Sequence, residues 1–311
     1  EEKKDNFFLL FYSREAHLKT MSEKLFYPID PAGKQEAEKA GPTQLEITHG
    51  DTSVSVSPEI GGMVTQFSVA GKDILYFDLD AFRNEKKPKI GVPVLLPFGG
   101  TDKEKIVRQH GGLREVPWVW ESRDEHSVTI SLDTANIRDE KLLSELREKF
   151  GDSLNFTYEV KISVGETSLA YDIKIKNSGV AEMPIAPGLH PYFKVDPEKQ
   201  SEMRSNLSNF DLSGRTWASD EGALILARPP EEDVWFTIPG TGKVTVKCSP
   251  EFDTFVVWSK QKENGEKEDY LCVEPWVGKP GAVDDKEKRI TIPPGGEIGL
   301  FVSFTVEQEP S

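Results

Sequence analysis

From Val54 onward, apolar residues recur at every second position in short runs. Val54 and Val56 open the pattern, Val128, Ile130 and Leu132 continue it, then Phe156, Tyr158, Val160, Ile162 and Val164, then Leu169, Tyr171, Ile173 and Ile175. Successive side chains of an extended chain point to opposite faces, so each run predicts a strand with one face buried and the other wet, as antiparallel sheets allow. Further strand-like runs cover Val234 to Ile238, Val244 to Cys248, Thr254 to Trp258, Tyr270 to Val273, Arg289 to Ile292 and Ile298 to Val306. Turns between them are supplied by Asn177-Ser178-Gly179 and Pro293-Pro294-Gly295-Gly296. One helix interrupts the pattern, with Asp139 as N-cap, Leu142, Leu143, Leu146 and Phe150 on one face, and Gly151 as stop. The expected fold is all-β: a large antiparallel β-sandwich with one or two short helices and no repeat at solenoid spacing.

The sandwich is expected over residues 43–308, after a leader and linker at 1–42 in which Pro28, Pro31, Gly33, Gly41 and Pro42 mix with charge. The apolar run Phe7 to Tyr12 is too short to span a membrane. Residues 1–20 are instead a candidate docking segment for a protein partner. A balance of 38 Lys and Arg against 53 Asp and Glu, net charge -15, opposes phosphate backbones and anionic lipid, so neither nucleic acid nor a membrane surface is an expected partner. Cys248 and Cys272 show no CxxC spacing and no His nearby in sequence. That pattern specifies neither a zinc site nor a disulfide framework, and a reducing, cytoplasmic setting is the simpler expectation.

Three places join a reactive side chain to turn residues and aromatics. In Gly188-Leu189-His190-Pro191-Tyr192-Phe193 a histidine stands between a flexible and a rigid residue. In Gln109-His110-Gly111-Gly112-Leu113-Arg114 a histidine and an arginine four apart can donate to hydroxyls or an anion, with Trp118 as an apolar floor. In Leu271-Cys272-Val273-Glu274-Pro275-Trp276 an acid follows a buried strand that Pro275 is expected to stop, and partial desolvation there would suit a general base. Each has a plain structural alternative: a packed turn histidine, an exposed basic loop, a rim glutamate paired with lysine. His17, His49 and His126 lie in the leader or in polar turns and are expected to be solvated.

With Gly91-Val92-Pro93-Val94-Leu95-Leu96-Pro97-Phe98, these segments, in this order, resemble the aldose 1-epimerase or galactose mutarotase-like family, including its hexose-6-phosphate branch. The resemblance implies a β-sandwich with a sugar site on a concave face, His190 as general acid, Glu274 as general base, and His110 and Arg114 as substrate-binding groups. It implies no cofactor and no metal. Gln109, Lys89, Asp253 and Trp258 are further candidates for substrate binding, with Asp220 as an alternative to Asp253. The two proton-transfer groups are pictured on opposite sides of the held sugar. Phosphosugar relatives often carry Arg-Gly-Gly-Ile-Pro where this chain has Lys89-Ile90-Gly91-Val92-Pro93, so hexose and hexose phosphate both stay open. A non-catalytic carbohydrate-binding or structural subunit is the alternative. A glycoside hydrolase would want a second carboxylate at the scissile bond.

Overall fold

A computed structural model of the chain describes residues 42–152, 154–217 and 222–309. The leader through residue 41, with His17, and the candidate Asp220 lie outside the described residues.

Described strands run in chain order as follows. The first stretch holds β1 (Leu45–His49), β2 (Thr52–Ser57), β3 (Met63–Val69), β4 (Lys72–Asp73), β5 (Val94–Leu95), β6 (Val119–Arg123) and β7 (Ser127–Asp133). The middle holds β8 (Phe156–Val164), β9 (Ser168–Asn177), β10 (Met183–Ile185), β11 (Gly188–Leu189), β12 (Tyr192–Lys194) and β13 (Leu224–Ala227). The last holds β14 (Val234–Ile238), β15 (Gly242–Cys248), β16 (Thr254–Trp258), β17 (Tyr270–Trp276), β18 (Ile290–Ile292) and β19 (Glu297–Gln308). A seven-stranded sheet has the order β14-β15-β19-β9-β8-β7-β6, and a six-stranded one the order β13-β16-β17-β11-β5, with β12 also on β17. A four-stranded meander, β1 to β4, and the pair β10-β18 complete the described sheets. Every pairing between these strands is antiparallel.

Alternation in sequence becomes alternation in burial: in β8 and β9 the apolar positions are buried and most of those between them half-buried or exposed. One core joins the large sheets. Phe193 of the six-stranded sheet meets Phe236 and Phe304 of the seven-stranded sheet with ring centroids 4.8 and 5.7 Å apart. Among the described residues, two α-helices accompany the strands, α1 (Leu79–Asn84) and α2 (Glu140–Phe150). Helix α2 matches the expected caps: the Asp139 side chain accepts from Leu142 N–H at 3.0 Å, and Gly151 closes it.

One expectation needs correction. Strand β17 does not stop at Glu274; it runs through Pro275 to Trp276, with Pro275 opposite Phe255. On its other side the neighbouring chain is interrupted, because β11 ends at Leu189 and β12 starts at Tyr192. Val277 N–H donates to Pro187 on that side, so ladder alternation directs position 275 to the same side, opposite Leu189 where β11 ends. A proline fits a strand where no ladder donor is needed.

Candidate active site

Period two divides the central strands into two faces. Phe255, Val257, Leu271 and Val273 point into the shared core. Val256, Trp258, Tyr270, Cys272, Glu274 and Trp276 point to the opposite face, where they form small clusters with Leu95, Tyr76 and Tyr192. The candidate groups meet on that second face.

His190 occupies the interruption between β11 and β12, and its backbone N–H donates to Pro93. Its Nδ1 lies 3.5 Å from Glu274 Oε2. The imidazole stacks on Tyr192, centroids 4.7 Å apart and 3° from parallel, with the Trp258 ring edge-on at 6.0 Å. Acid and base candidates are therefore neighbours rather than groups facing each other across the width of a sugar. Glu274 sits inside the strand, only 1 % exposed, and not at a half-wet terminus. Its Oε2 accepts the Trp276 indole N–H at 3.0 Å. Burial pushes its carboxyl well above the usual carboxylate range, against the Trp276 bond and the Arg114 charge, which pull it down. Burial likewise holds His190 well below the usual imidazole range, and the Arg114 charge adds to that.

His110 lies on a 3-10 turn (Gln109–Gly111) at φ 62°, a left-handed conformation unusual for a side chain with a Cβ. Two bonds hold it there: its own N–H donates to Gly100 C=O, and its Nδ1 accepts Gly100 N–H at 3.0 Å. An accepting Nδ1 fixes the tautomer with hydrogen on Nε2. The ring stands edge-on to His190 and Trp276, at 5.5 and 5.6 Å. Burial, then Arg114, depresses His110 as well, so it is a neutral donor.

Arg114 is half-buried, and its Nε is buried without a hydrogen-bond partner. Its charge acts on His110, His190, Tyr192 and Glu274 together. Lys89 is also half-buried; its ammonium is held below the usual lysine range by burial and by the adjacent Lys260. Neither lysine forms an ion pair among the described residues.

Asp253 and Trp118 are not brought to this group. Gln109 is exposed while His110 beside it is buried. Asp253 precedes β16 on the opposite parity from Val256 and Trp258, and its Oδ1 accepts from Gly278 N–H and the Thr254 hydroxyl. Trp118 is core rather than floor: its indole packs beneath Gly62 and donates to Leu113 C=O. Trp276 borders His110 instead. Gly188 and Gly99 are required by that ring, since a Cβ at either would come within 2.7 or 2.8 Å of it. Sequence reasoning set Trp276 against Glu274 but missed Cys272 as a member of the site, although period two in Cys-Val-Glu-Pro-Trp puts positions 272, 274 and 276 on one face. Cys272 and Cys248 are both buried free thiols. His49 and His126, expected to be solvated, stack on each other at 4.5 Å.

An all-β chain with antiparallel sheets about a shared core and a buried His-Glu pair falls in the class of galactose mutarotase-like folds. Solved structures carry the fold assignment. The Slr1438 protein from Synechocystis sp. PCC 6803 is similar with a TM-score of 0.72 and 23 % identity, covering 87 % of this chain and 97 % of that one. A galactose mutarotase related enzyme from Lactobacillus acidophilus is similar at 0.67 and 17 %, covering 86 % and 98 %. A galactose 1-epimerase from Lactobacillus acidophilus NCFM is similar at 0.62 and 12 %, covering 86 % and 95 %. The aldose 1-epimerase family profile matches residues 43–293, and the chain belongs to that family. No match is found among curated protein sequences.

Proposed function

We propose that this protein is an aldose 1-epimerase that interconverts the α and β anomers of a hexose or hexose phosphate through ring opening. The observation that carries the reading is the 3.5 Å approach of His190 Nδ1 to Glu274 Oε2, buried together beside His110 and Arg114. The anomeric hydroxyl and the ring oxygen are bonded to the same carbon, so a neighbouring acid and base suit this reaction. The step starts from the carboxylate-imidazolium form of the one-proton pair, the minor form where burial favours the neutral groups: Glu274 takes the proton of the anomeric hydroxyl, the carbonyl forms, the bond from that carbon to the ring oxygen breaks, and His190 gives its proton to the ring oxygen. Rotation about the bond between the first two carbons and reversal of the steps give the other anomer. The pair holds one proton between its members before and after opening, so it is restored by closure. His110 Nε2–H and Arg114 donate to substrate oxygens, and the unpaired Lys89 and Lys260 favour the phosphorylated substrate.

The test is anomer exchange by NMR on glucose, galactose and their 6-phosphates, comparing wild type with His190→Ala and Glu274→Gln. Each substitution is expected to lower the catalysed rate about 10²- to 10⁴-fold. Wild type matching buffer on all four sugars overturns the reading and leaves a sugar-binding subunit in its place. The reaction, and the two free thiols, accord with a reducing, cytoplasmic setting. No described helix is long and apolar enough to cross a membrane.

A further inference from the structure

Beside the His190-Glu274 pair lies a third donor that proton transfer does not use. A ring nitrogen of His190, the Cys272 sulfur and a carboxylate oxygen of Glu274 lie within 4.8 Å of one another, and all three residues are buried. Nδ1 of His190 is enclosed and makes no hydrogen bond, although the residue is only 6 % exposed. An unspent lone pair, a thiol and a carboxylate thus converge on one point. Tetrahedral zinc at its usual bond lengths places its donors about 3.5 Å apart. The His190-Glu274 separation of 3.5 Å already meets that. With every separation at or below 4.8 Å, no gap in the cluster has to close by more than about 1.3 Å.

We propose that His190, Cys272 and Glu274 form a three-ligand site for a thiophilic divalent cation, zinc or cadmium in class, whose occupancy blocks the catalytic pair. Sulfur and imidazole select such ions over magnesium or calcium, which want oxygen alone. Trp276 N–H, already on Glu274, orients the carboxylate as outer-shell partners of metal ligands do. His110 does not complete the set, because its Nδ1 is committed to Gly100 N–H and its Nε2 carries hydrogen. The fourth position is left to water or a sugar hydroxyl. Binding displaces the Cys272 thiol proton and the proton held by the pair to solvent, and the cation takes the lone pairs of both proton-transfer groups, so turnover stops by occupation of the site. Cysteine spacing along the sequence concealed this arrangement: the neighbours of Cys272 come from the fold, with Tyr192 paired opposite Cys272 and His190 two residues before it.

Cobalt(II) reports the site independently of activity, through the thiolate-to-cobalt absorption band of metal-free protein titrated with cobalt chloride. One equivalent per chain is expected to develop the band. It should vanish in Cys272→Ser, persist in Cys248→Ala, and need at least about tenfold more metal in His190→Ala. Circular dichroism of each variant verifies folding, and magnesium chloride on wild type is the control for charge alone. Absence of the band in wild type, or its survival in folded Cys272→Ser, overturns the site. The blocking arm rests on the proposed epimerase activity: zinc should abolish anomer exchange and a chelator restore it. Cobalt binding with no exchange in metal-free protein would retain the site and reject the activity, whereas exchange unaffected by bound metal would reject the blocking role.

Discussion

His190 and Glu274 differ from ordinary side chains of their kind because both are sealed from water, and burial disfavours the charged form of each. The proposed epimerisation needs one proton on the pair; the second arrives as pH falls through the lowered His190 range, and the last leaves as pH rises through the raised Glu274 range. For chelator-treated protein, the acid limb of kcat/KM should lie below the range of free imidazole and the alkaline limb above that of a free carboxyl. Trp276→Phe removes a donor that stabilises the Glu274 carboxylate, so the alkaline limb should move to higher pH. A limb that stays in place assigns it to another group. At this scale the sequence was informative about identity and poor about surroundings. Glycine, proline and two aromatics singled out His190, but nothing in the order of residues told that Trp276 rather than Trp118 would border His110, because that choice is made by strand pairing far away in sequence.

Among the elements, α2 is the one whose ends are written into the chain. Asp139 caps it through Leu142 N–H and also meets Arg108, which is enclosed by Asp139, Glu115 and Glu145. Those bonds, the Leu142 N–H first, lower the Asp139 carboxyl to about 2. A depressed acid contributes stability that is complete above its unfolded value and lost as pH falls through the folded one. Asp139→Ala should therefore cost about 1 kcal/mol in urea unfolding at neutral pH, and the difference from wild type should shrink between pH of about 4 and about 2. Alternation made the long strands β8 and β9 legible, since each has a second face that reaches water. It failed at β5, β11 and β12, two or three residues each, where no period can be counted and where the site is built. Pro275 misled for a related reason: a proline reads as a stop unless the gap beside it is known.

Across the molecule, the six-stranded sheet works on both faces. One face carries the candidate chemistry, and the other, with Phe193 against Phe236 and Phe304, fastens it to the seven-stranded sheet. Phe236→Ala empties that contact and should cost about 3–5 kcal/mol by denaturant unfolding. A cost below about 1 kcal/mol would mean that the sheets are held elsewhere. The position of β17 has a further consequence for how the protein fails. Cys272 and Glu274 lie on a strand with partners on both sides, and its seven residues are all buried. Backbone amides so enclosed exchange with deuterium only when the whole domain opens. Leu271 and Val273 should accordingly share the slowest exchange class, while Lys72 and Asp73, both exposed in the two-residue strand β4, exchange early. Loss of activity in rising denaturant should then trace the same curve as global unfolding, with no inactive but folded stage before it.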